Sequence, residues 1–476
     1  MYISKVSLVN YRNFANAKLL FDTGINTVIG ENGSGKTNLF RAVRLLLDDS
    51  LLRFSYKLDE RDFSRALGDW RGHWIVISVE FKELSTDEAI QALFVHGVGN
   101  IEDGQVERAT YNLIFRPNHD VRQRFSQLKA GDHSGLEELQ SQVSVDNYEA
   151  IFTGKSEADF NDPAIYQQLV GDFESVEFDV EMEDPIIGIR IPHQLSVSRE
   201  VSFTFVKALR DVVSDFHNNR TNPLLKLLKY KSEELDASKY EDISKGVKEV
   251  NQKIEALDDV GELRAGIRQT IRDTVGETYS PTSLSIKSDL PDEAEELLQS
   301  LKLFIGESEE TYEGAIHELS LGGANLIYLT LKLLEFKYQK EKQSVANFLF
   351  IEEPEAHIHT HIQKTLFENL DYGDTQIVYS THSTHISEVS NVRKVNVLAR
   401  HGVTCEAYQP STGLNELQTR NLERYLDAVR TNLLFAKSVI LVEGDAEEIL
   451  VPQLCKRVLG VSLDELGISL INIRST

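Results

Sequence analysis

The chain has little with which to brace itself covalently. Its 476 residues include only two cysteines, Cys405 and Cys455, too few and too far apart for a disulfide framework or a thiolate metal cluster. A reducing cytoplasm fits that absence. Also missing is any apolar run near the ~20 residues of a membrane helix. The opening Met1-Tyr2-Ile3-Ser4-Lys5-Val6 alternates like a strand where a signal peptide would carry its apolar stretch. Neither a membrane protein nor an exported one is expected. Positive charge is not in excess either: 50 lysines and arginines face 75 aspartates and glutamates, for a net charge of −25. That excludes a protein that coats nucleic acid indiscriminately, though not one with a local basic groove. No internal repeat is evident. The heptad-like stretch is shorter than two heptads, which removes a long coiled-coil arm.

What is present is a globular balance, 41 % hydrophobic and 26 % charged, in a chain long enough for two or three domains. Gly30-Glu31-Asn32-Gly33-Ser34-Gly35-Lys36-Thr37 fits the phosphate-loop pattern without a mismatch. Its glycines let the backbone wrap and point N–H groups at phosphate oxygens. The β-rich run Ile25 to Ile29 precedes it, and a helix is expected from about Lys36 to Leu47, its positive end facing the same anion. Gly30, Asn32, Gly33, Ser34, Gly35, Lys36, Thr37 and Asn38 are thus candidate nucleotide contacts. Lys36 reaches the β/γ-phosphates, and the Thr37 hydroxyl is a Mg²⁺ ligand.

About 310 residues later, Phe348-Leu349-Phe350-Ile351 reads as a buried strand delivering Glu352 and Glu353 to its end. One carboxylate there holds Mg²⁺, and the next orients or deprotonates the attacking water. Ile377-Val378-Tyr379-Ser380-Thr381-His382-Ser383 is again strand followed by small polar residues and a histidine. His382 at that place senses the γ-phosphate or positions water. Ser320, Gly322 and Gly323, at the start of a helical run, form a second anion nest. One nucleotide does not need two nests, so the second is expected to cap a nucleotide bound by another subunit.

Elsewhere, Ile75, Ile77, Val79 and Phe81 alternate as in a half-buried strand, and Thr110 to Arg116 and Val201 to Val206 repeat the pattern. Gly131 to Gly135 and Thr153 to Pro163 read as loops. From about Lys207 to Leu303 the texture is helical. Val247, Val250, Ile254 and Leu257 form one apolar stripe, and Leu263, Ile267 and Ile271 a second. Arg264, Arg268 and Arg272 beside them are either a nucleic-acid contact or a charged face paired with nearby acids. His357, His359 and His361 alternate, but in a loop entering a helix such spacing does not make a metal site. Val395 to Leu398 reads as a strand, and Glu416 to Leu434 as a helix in a connector.

This set of motifs resembles the ABC-type ATPase heads of SMC proteins, RecF and the OLD (overcoming lysogenization defect) family. The Ser320 segment is similar to the ABC signature, with Leu321 where glycine is usual and an OLD-like Ala-Asn-Leu-Ile-Tyr continuation. Glu352 stands where the family has the Walker B aspartate, Glu353 at the catalytic glutamate, Glu355-Ala356-His357 at the D-loop and His382 at the switch histidine. Asn10-Tyr11-Arg12-Asn13-Phe14 resembles the first hairpin, which implies that Arg12 approaches the phosphates.

Ser438-Val439-Ile440-Leu441-Val442-Glu443-Gly444-Asp445-Ala446-Glu447 looks like the opening of a Toprim domain, a metal-dependent nuclease fold. Leu450, Pro452, Leu454 and Leu466-Gly467-Ile468-Ser469 continue the likeness. The resemblance implies Mg²⁺ or Mn²⁺ at Glu443 and Glu447. Such a site also needs a later Asp-x-Asp, and none follows Ser438. The expectation is a truncated chain or one part of a split system.

The expected fold is α/β: an ATPase lobe over 1–210, a helical, dimerising insert over 211–305, a second lobe over 306–400, a connector over 401–437 and the start of Toprim over 438–476. The implied function is the ATP·Mg²⁺-dependent head of an OLD-type DNA endonuclease. Its implied partners are a second copy, DNA and a second protein of a phage-defence system. The alternative is a RecF/SMC-like ATP-gated DNA clamp or scaffold with no nuclease activity.

Overall fold

The computed structural model describes residues 1–49, 51, 58–84, 99–102, 105–178, 185–191, 197–208, 216, 222–232, 237–275, 303–305, 314–315, 321–340, 345–356, 373–383, 391–426 and 430–473. The chain divides into two compact units, one of Met1–Arg210 with Gln339–Thr476 and one of Asp211–Tyr338.

The first unit is built on two large sheets. In one, β1 (Tyr2–Tyr11), β2 (Phe14–Leu20), β4 (Ile75–Lys82), β5 (Gly99–Glu102), β6 (Gln105–Pro117), β7 (Tyr148–Gly154) and β8 (Ile189–Arg190) pair antiparallel in the order β2-β1-β4-β6-β7-β8, with β5 on β6. In the other, β15 (Thr404–Tyr408), β14 (Val395–His401), β3 (Ile25–Gly30), β13 (Thr375–Thr381), β12 (Asn347–Glu352) and β9 (Ser202–Val206) lie side by side in that order. All neighbours in it are parallel except β15 on β14. The central strands β12 and β13 are buried at every residue, which is why they read as continuous apolar runs.

Helix α1 (Lys36–Leu47) lies in the core between the sheets. Its Leu39, Phe40, Val43 and Leu46 share one cluster with Leu8, Ile77 and Phe81 of the antiparallel sheet and Val28, Phe348 and Phe350 of the parallel one. The Phe40 ring meets Phe350 edge-on at 5.2 Å between centroids, an arrangement aromatic quadrupoles favour.

Several local expectations need correction. β4 is buried on both faces, not one. Val9, Val76 and Ile114 pack on the far side against Trp74, just before β4, and against Phe160 and Leu169 from the segment that follows β7. Residues expected as loops fold in part. Asp132 caps the helix His133–Ser141, and Asp162 caps Pro163–Val170, where Pro163 opens the helix. The connector contributes β15 to the main sheet. Its helix spans Glu416–Tyr425, and a 3₁₀ turn covers Arg430–Phe435.

A small separate sheet closes the unit: β16 (Ser438–Val442) and β17 (Ile468–Asn472) pair in parallel, joined by the helix Asp445–Leu459. Leu450, Leu454 and Val458 leave an apolar stripe of that helix exposed.

The second unit contains the helices Pro223–Ser232, Ala237–Glu255, Asp258–Val275 and most of Leu321–Lys340, with a two-stranded pair of β10 (Phe304–Ile305) and β11 (Gly314–Ala315). Within it Lys332 and Lys226 converge on the buried Glu335 at 2.8 and 3.5 Å. The insert's stripes face solvent at Val250, Ile254, Leu257, Leu263 and Ile267. Among the described residues, no helix is long and apolar enough to cross a membrane.

Candidate nucleotide site

The parallel sheet explains how remote sequence meets. Register pairs Glu352 with Ser380, and Ser380 and Thr381 with Val28 and Ile29. The carboxyl ends of β12, β13 and β3 therefore share one sheet edge, where open α/β sheets gather their ligands.

From Gly30 the chain turns into α1. Gly33 and Gly35 take φ of 80° and 100°, the left-handed region that favours glycine. A Cβ on Gly30 would stand 2.6 Å from the Leu398 carbonyl oxygen, so β14 closes the back of the loop. No side chain caps α1, and its first N–H groups remain available to an anion.

Lys36 is 4 % exposed, and its ammonium donates to the carbonyls of Gly30 at 2.7 Å and Glu31 at 3.1 Å. Burial lowers its pKa, against the opposing pull of Glu353, Glu355 and Glu352. The Thr37 hydroxyl donates to Glu352 Oε1. A hydroxyl and a carboxylate oxygen side by side, next to a phosphate-binding loop, are the donor set Mg²⁺ takes when it also keeps waters and substrate oxygens. These residues fit the ion.

Glu353, one residue beyond the strand, takes φ of 44°. A non-glycine residue there is strained, and such strain concentrates at functional sites. Its N–H donates to the Ser380 carbonyl at 3.0 Å, which tethers it to β13. His382 Nδ1 lies 3.9 Å from Glu353 Oε1 and 3.3 Å from Glu355 Oε1.

The hairpin between β1 and β2 brings Arg12 to the first turn of α1. Its Nη1 donates to Asn38 Oδ1 at 2.9 Å and its Nε to the buried Asp62 at 2.8 Å. Asn38 in turn donates to Asn13 Oδ1 at 2.7 Å, and Asn13 to Cys405 Sγ at 3.0 Å. Beside this chain lies a cleft of about 460 Å³, lined by Arg12, Asn13, Gly33, Asn38, Arg61, Phe63, Arg65, Arg400, Val403 and Cys405. It is a basic pocket with an apolar wall in a strongly acidic protein.

One sheet edge thus gathers Arg12, Gly30 to Asn38, Glu352, Glu353 and His382. The other candidates fall on other elements. Gly322 and Gly323 stand in the first turn of Leu321–Lys340, and Ser320 falls outside the described residues, as do His357, His359 and His361. Arg264, Arg268 and Arg272 lie on Asp258–Val275. Glu443 follows β16, and Glu447 sits in the first turn of the next helix. There Asn472 donates to Asp445 at 2.8 Å and Glu448 at 2.9 Å, two acids the sequence reading passed over. Among the described residues no three histidine, cysteine or acidic side chains form a metal cluster. Sequence reasoning also missed Asp62, Arg61, Arg65 and Arg400. Their roles depend on strands and turns far from any motif, so no local signal marked them.

Residues 1–387 match the family described as AAA ATPase domain, and residues 434–476 match the TOPRIM domain of overcoming lysogenization defect protein-like proteins. The DNA replication and repair protein RecF of Bacillus cereus (strain AH820) is 24 % identical over 265 residues, 52 % of this chain and 65 % of RecF. RecF of Bacillus velezensis is 30 % identical over 147 residues, covering 29 % of this chain and 39 % of that one. The chain thus spans just under two thirds of the first of these relatives and less of the second. Among solved structures, the SMC head domain from Thermotoga maritima is similar at 12 % identity and a TM-score of 0.33, over 86 % of this chain and 99 % of that one. An Smc head from Pyrococcus furiosus, bound to the C-terminal domain of ScpA, is similar at 12 % identity and a TM-score of 0.38, over 89 % and 99 %. The chain belongs to the AAA ATPase domain family, and an OLD-like Toprim segment follows its ATPase domain.

Proposed function

We propose that this chain is an ATP-binding and ATP-hydrolysing head whose pairing with a second copy controls metal-dependent DNA cleavage by a Toprim domain, in the setting of phage defence. The observation that carries the ATPase part is the meeting of Thr37 with Glu352 at the mouth of the phosphate loop, with Glu353 and His382 beside them. The N-terminus of α1, Lys36 and Arg12 bind the triphosphate, and the basic cleft takes the rest of the nucleotide. Mg²⁺ held by Thr37 and Glu352 would neutralise charge on the phosphate oxygens. Glu353 is the acceptor for the proton of the attacking water, and its strained backbone fixes that carboxylate at the strand end.

The nest of Ser320, Gly322 and Gly323 acts on the nucleotide of the second copy. The exposed stripes at Leu257, Leu263 and Ile267 supply apolar surface for pairing. Glu443 and Glu447 serve a Mg²⁺ or Mn²⁺ site that acts on DNA, and a further defence protein is the expected partner. A second reading, a RecF-like clamp on DNA that does not cut, is favoured by the RecF relatives.

Two variants test the ATPase part. Lys36→Ala should weaken ATP binding by about 100-fold or more in calorimetry, the loss expected when a charge-assisted phosphate contact goes. Glu353→Gln should bind ATP like wild type yet turn it over at least about 100-fold more slowly. Ongoing hydrolysis in Glu353→Gln would remove Glu353 from its role. Plasmid nicking with Mg²⁺ or Mn²⁺ separates the two readings, since a clamp leaves the plasmid intact in every nucleotide state.

A further inference from the structure

Glu355 is not needed for either job assigned to Glu352 and Glu353, yet it is buried at the centre of the site. Its Oε1 accepts from the Thr381 hydroxyl at 2.7 Å and from the His382 N–H at 2.9 Å, and it faces His382 Nδ1 at 3.3 Å. One carboxylate oxygen thus holds the backbone N–H of His382 and stands close to its ring. Glu353 stands on the same side of the ring at 3.9 Å. The buried Lys36 feels the charges of Glu353, Glu355 and Glu352.

An imidazole nitrogen facing a carboxylate is most stable as a donor. The proton on one ring nitrogen then decides what the other can do. Resting on the ATP-hydrolysis reading, we infer that Glu355 is a positioning residue that holds a proton on His382 Nδ1 and leaves Nε2 as the nitrogen that meets the nucleotide or its attacking water. Nearly half of the His382 side chain is solvent-accessible, so the ring has room to turn unless something holds it. A carboxylate three residues past the Mg²⁺ ligand therefore couples the end of β12 to the orientation of the histidine at the end of β13.

The test has two arms. Long-range ¹H–¹⁵N correlation spectra of ¹⁵N-histidine-labelled protein, with the His382 signal assigned by its loss in His382→Gln, report which ring nitrogens carry protons. The expected result is a protonated Nδ1 in wild type and a shift towards protonation at Nε2 alone in Glu355→Ala. A wild-type His382 protonated only at Nε2 overturns the inference. In the second arm, Glu355→Gln keeps a carbonyl acceptor for Thr381 and the His382 N–H but loses the charge. Its kcat should fall about 10- to 100-fold, the usual cost of removing a carboxylate behind a working histidine, with KM for ATP within about threefold. An unchanged kcat, or a rise in KM that matches the fall in kcat/KM, overturns it. The spectrum reads His382 whether or not ATP is consumed. A wild-type chain that hydrolyses no ATP therefore sinks the functional reading alone, and the spectrum still decides this one.

Discussion

Gly35 sits where three requirements meet. It takes φ of 100°, it precedes the first residue of α1, and a Cβ on it would stand 2.4 Å from Asn13 Nδ2 and 2.7 Å from Phe14 Cζ. Gly35→Ala should therefore cost about 1–3 kcal/mol in denaturant unfolding, from backbone strain and the displaced hairpin. It should also weaken ATP binding about tenfold or more, because Asn13, with Arg12, links the hairpin to Asn38. At the same scale, His73 is a pH-sensitive element of stability. Its ring stacks 3.9 Å from Phe173, and burial pushes its pKa down to about 4. The unfolded chain, with the ordinary value near 6.5, binds a proton between those limits that the native chain refuses. Stability is full above about pH 6.5 and is lost as pH falls towards 4, by roughly 2–3 kcal/mol. His73→Phe should flatten this acid limb, seen as a smaller gap between urea midpoints at pH 7 and pH 5.

The elements carry the site by packing. Phe350 lies two residues before Glu352 and is 1 % exposed, with its ring against Phe40 of α1 and 5.1 Å from Phe203. Phe350→Ala should lower unfolding free energy by about 3–5 kcal/mol in guanidinium titration, the range for a large aromatic removed from a close-packed core. The strands of the parallel sheet were legible because burial on both faces leaves an unbroken apolar run, as in Phe348 to Ile351 and, after the polar Gln376, Ile377 to Tyr379. The loop and helix at Gly30 to Leu47 were legible because glycine spacing, with a lysine and a threonine at the helix start, is a local pattern. β4 was misread as half-buried. Alternation reports the side chain, whereas the cover on its second face comes from residues 74 to 187 along the chain. β15 was hidden in the connector for a similar reason: an edge strand paired on one side needs little apolar sequence.

The whole molecule places the phosphate loop, Glu352, Glu353 and His382 in one unit, and the helix that begins with Leu321, Gly322 and Gly323 mostly in the other. On the proposed reading, that helix start serves the nucleotide of a second copy. Light scattering should then show Glu353→Gln doubling in mass when ATP is added, with Lys36→Ala unchanged. A single mass for both proteins in every nucleotide state would rule out pairing driven by ATP. The exposed stripe of Leu450, Leu454 and Val458 beside β16 marks a second face that a lone two-stranded sheet does not cover.

By itself the sequence determined the chemistry of the phosphate loop. Glycines at the tight turn, a lysine and a threonine at the helix start, and carboxylates at a strand end are local demands of binding a polyanion with Mg²⁺. It also determined the α/β class, through the period and length of its apolar runs. Only the tertiary structure decided the rest. It set β13 between β3 and β12, so that Glu352 reaches Thr37 across 315 positions of chain. It folded Arg12 onto Asn38 and Asp62, and it turned Glu355 towards His382. Those contacts follow from strand order and register, which are settled by packing two sheets around α1 and leave no mark in any short stretch of sequence.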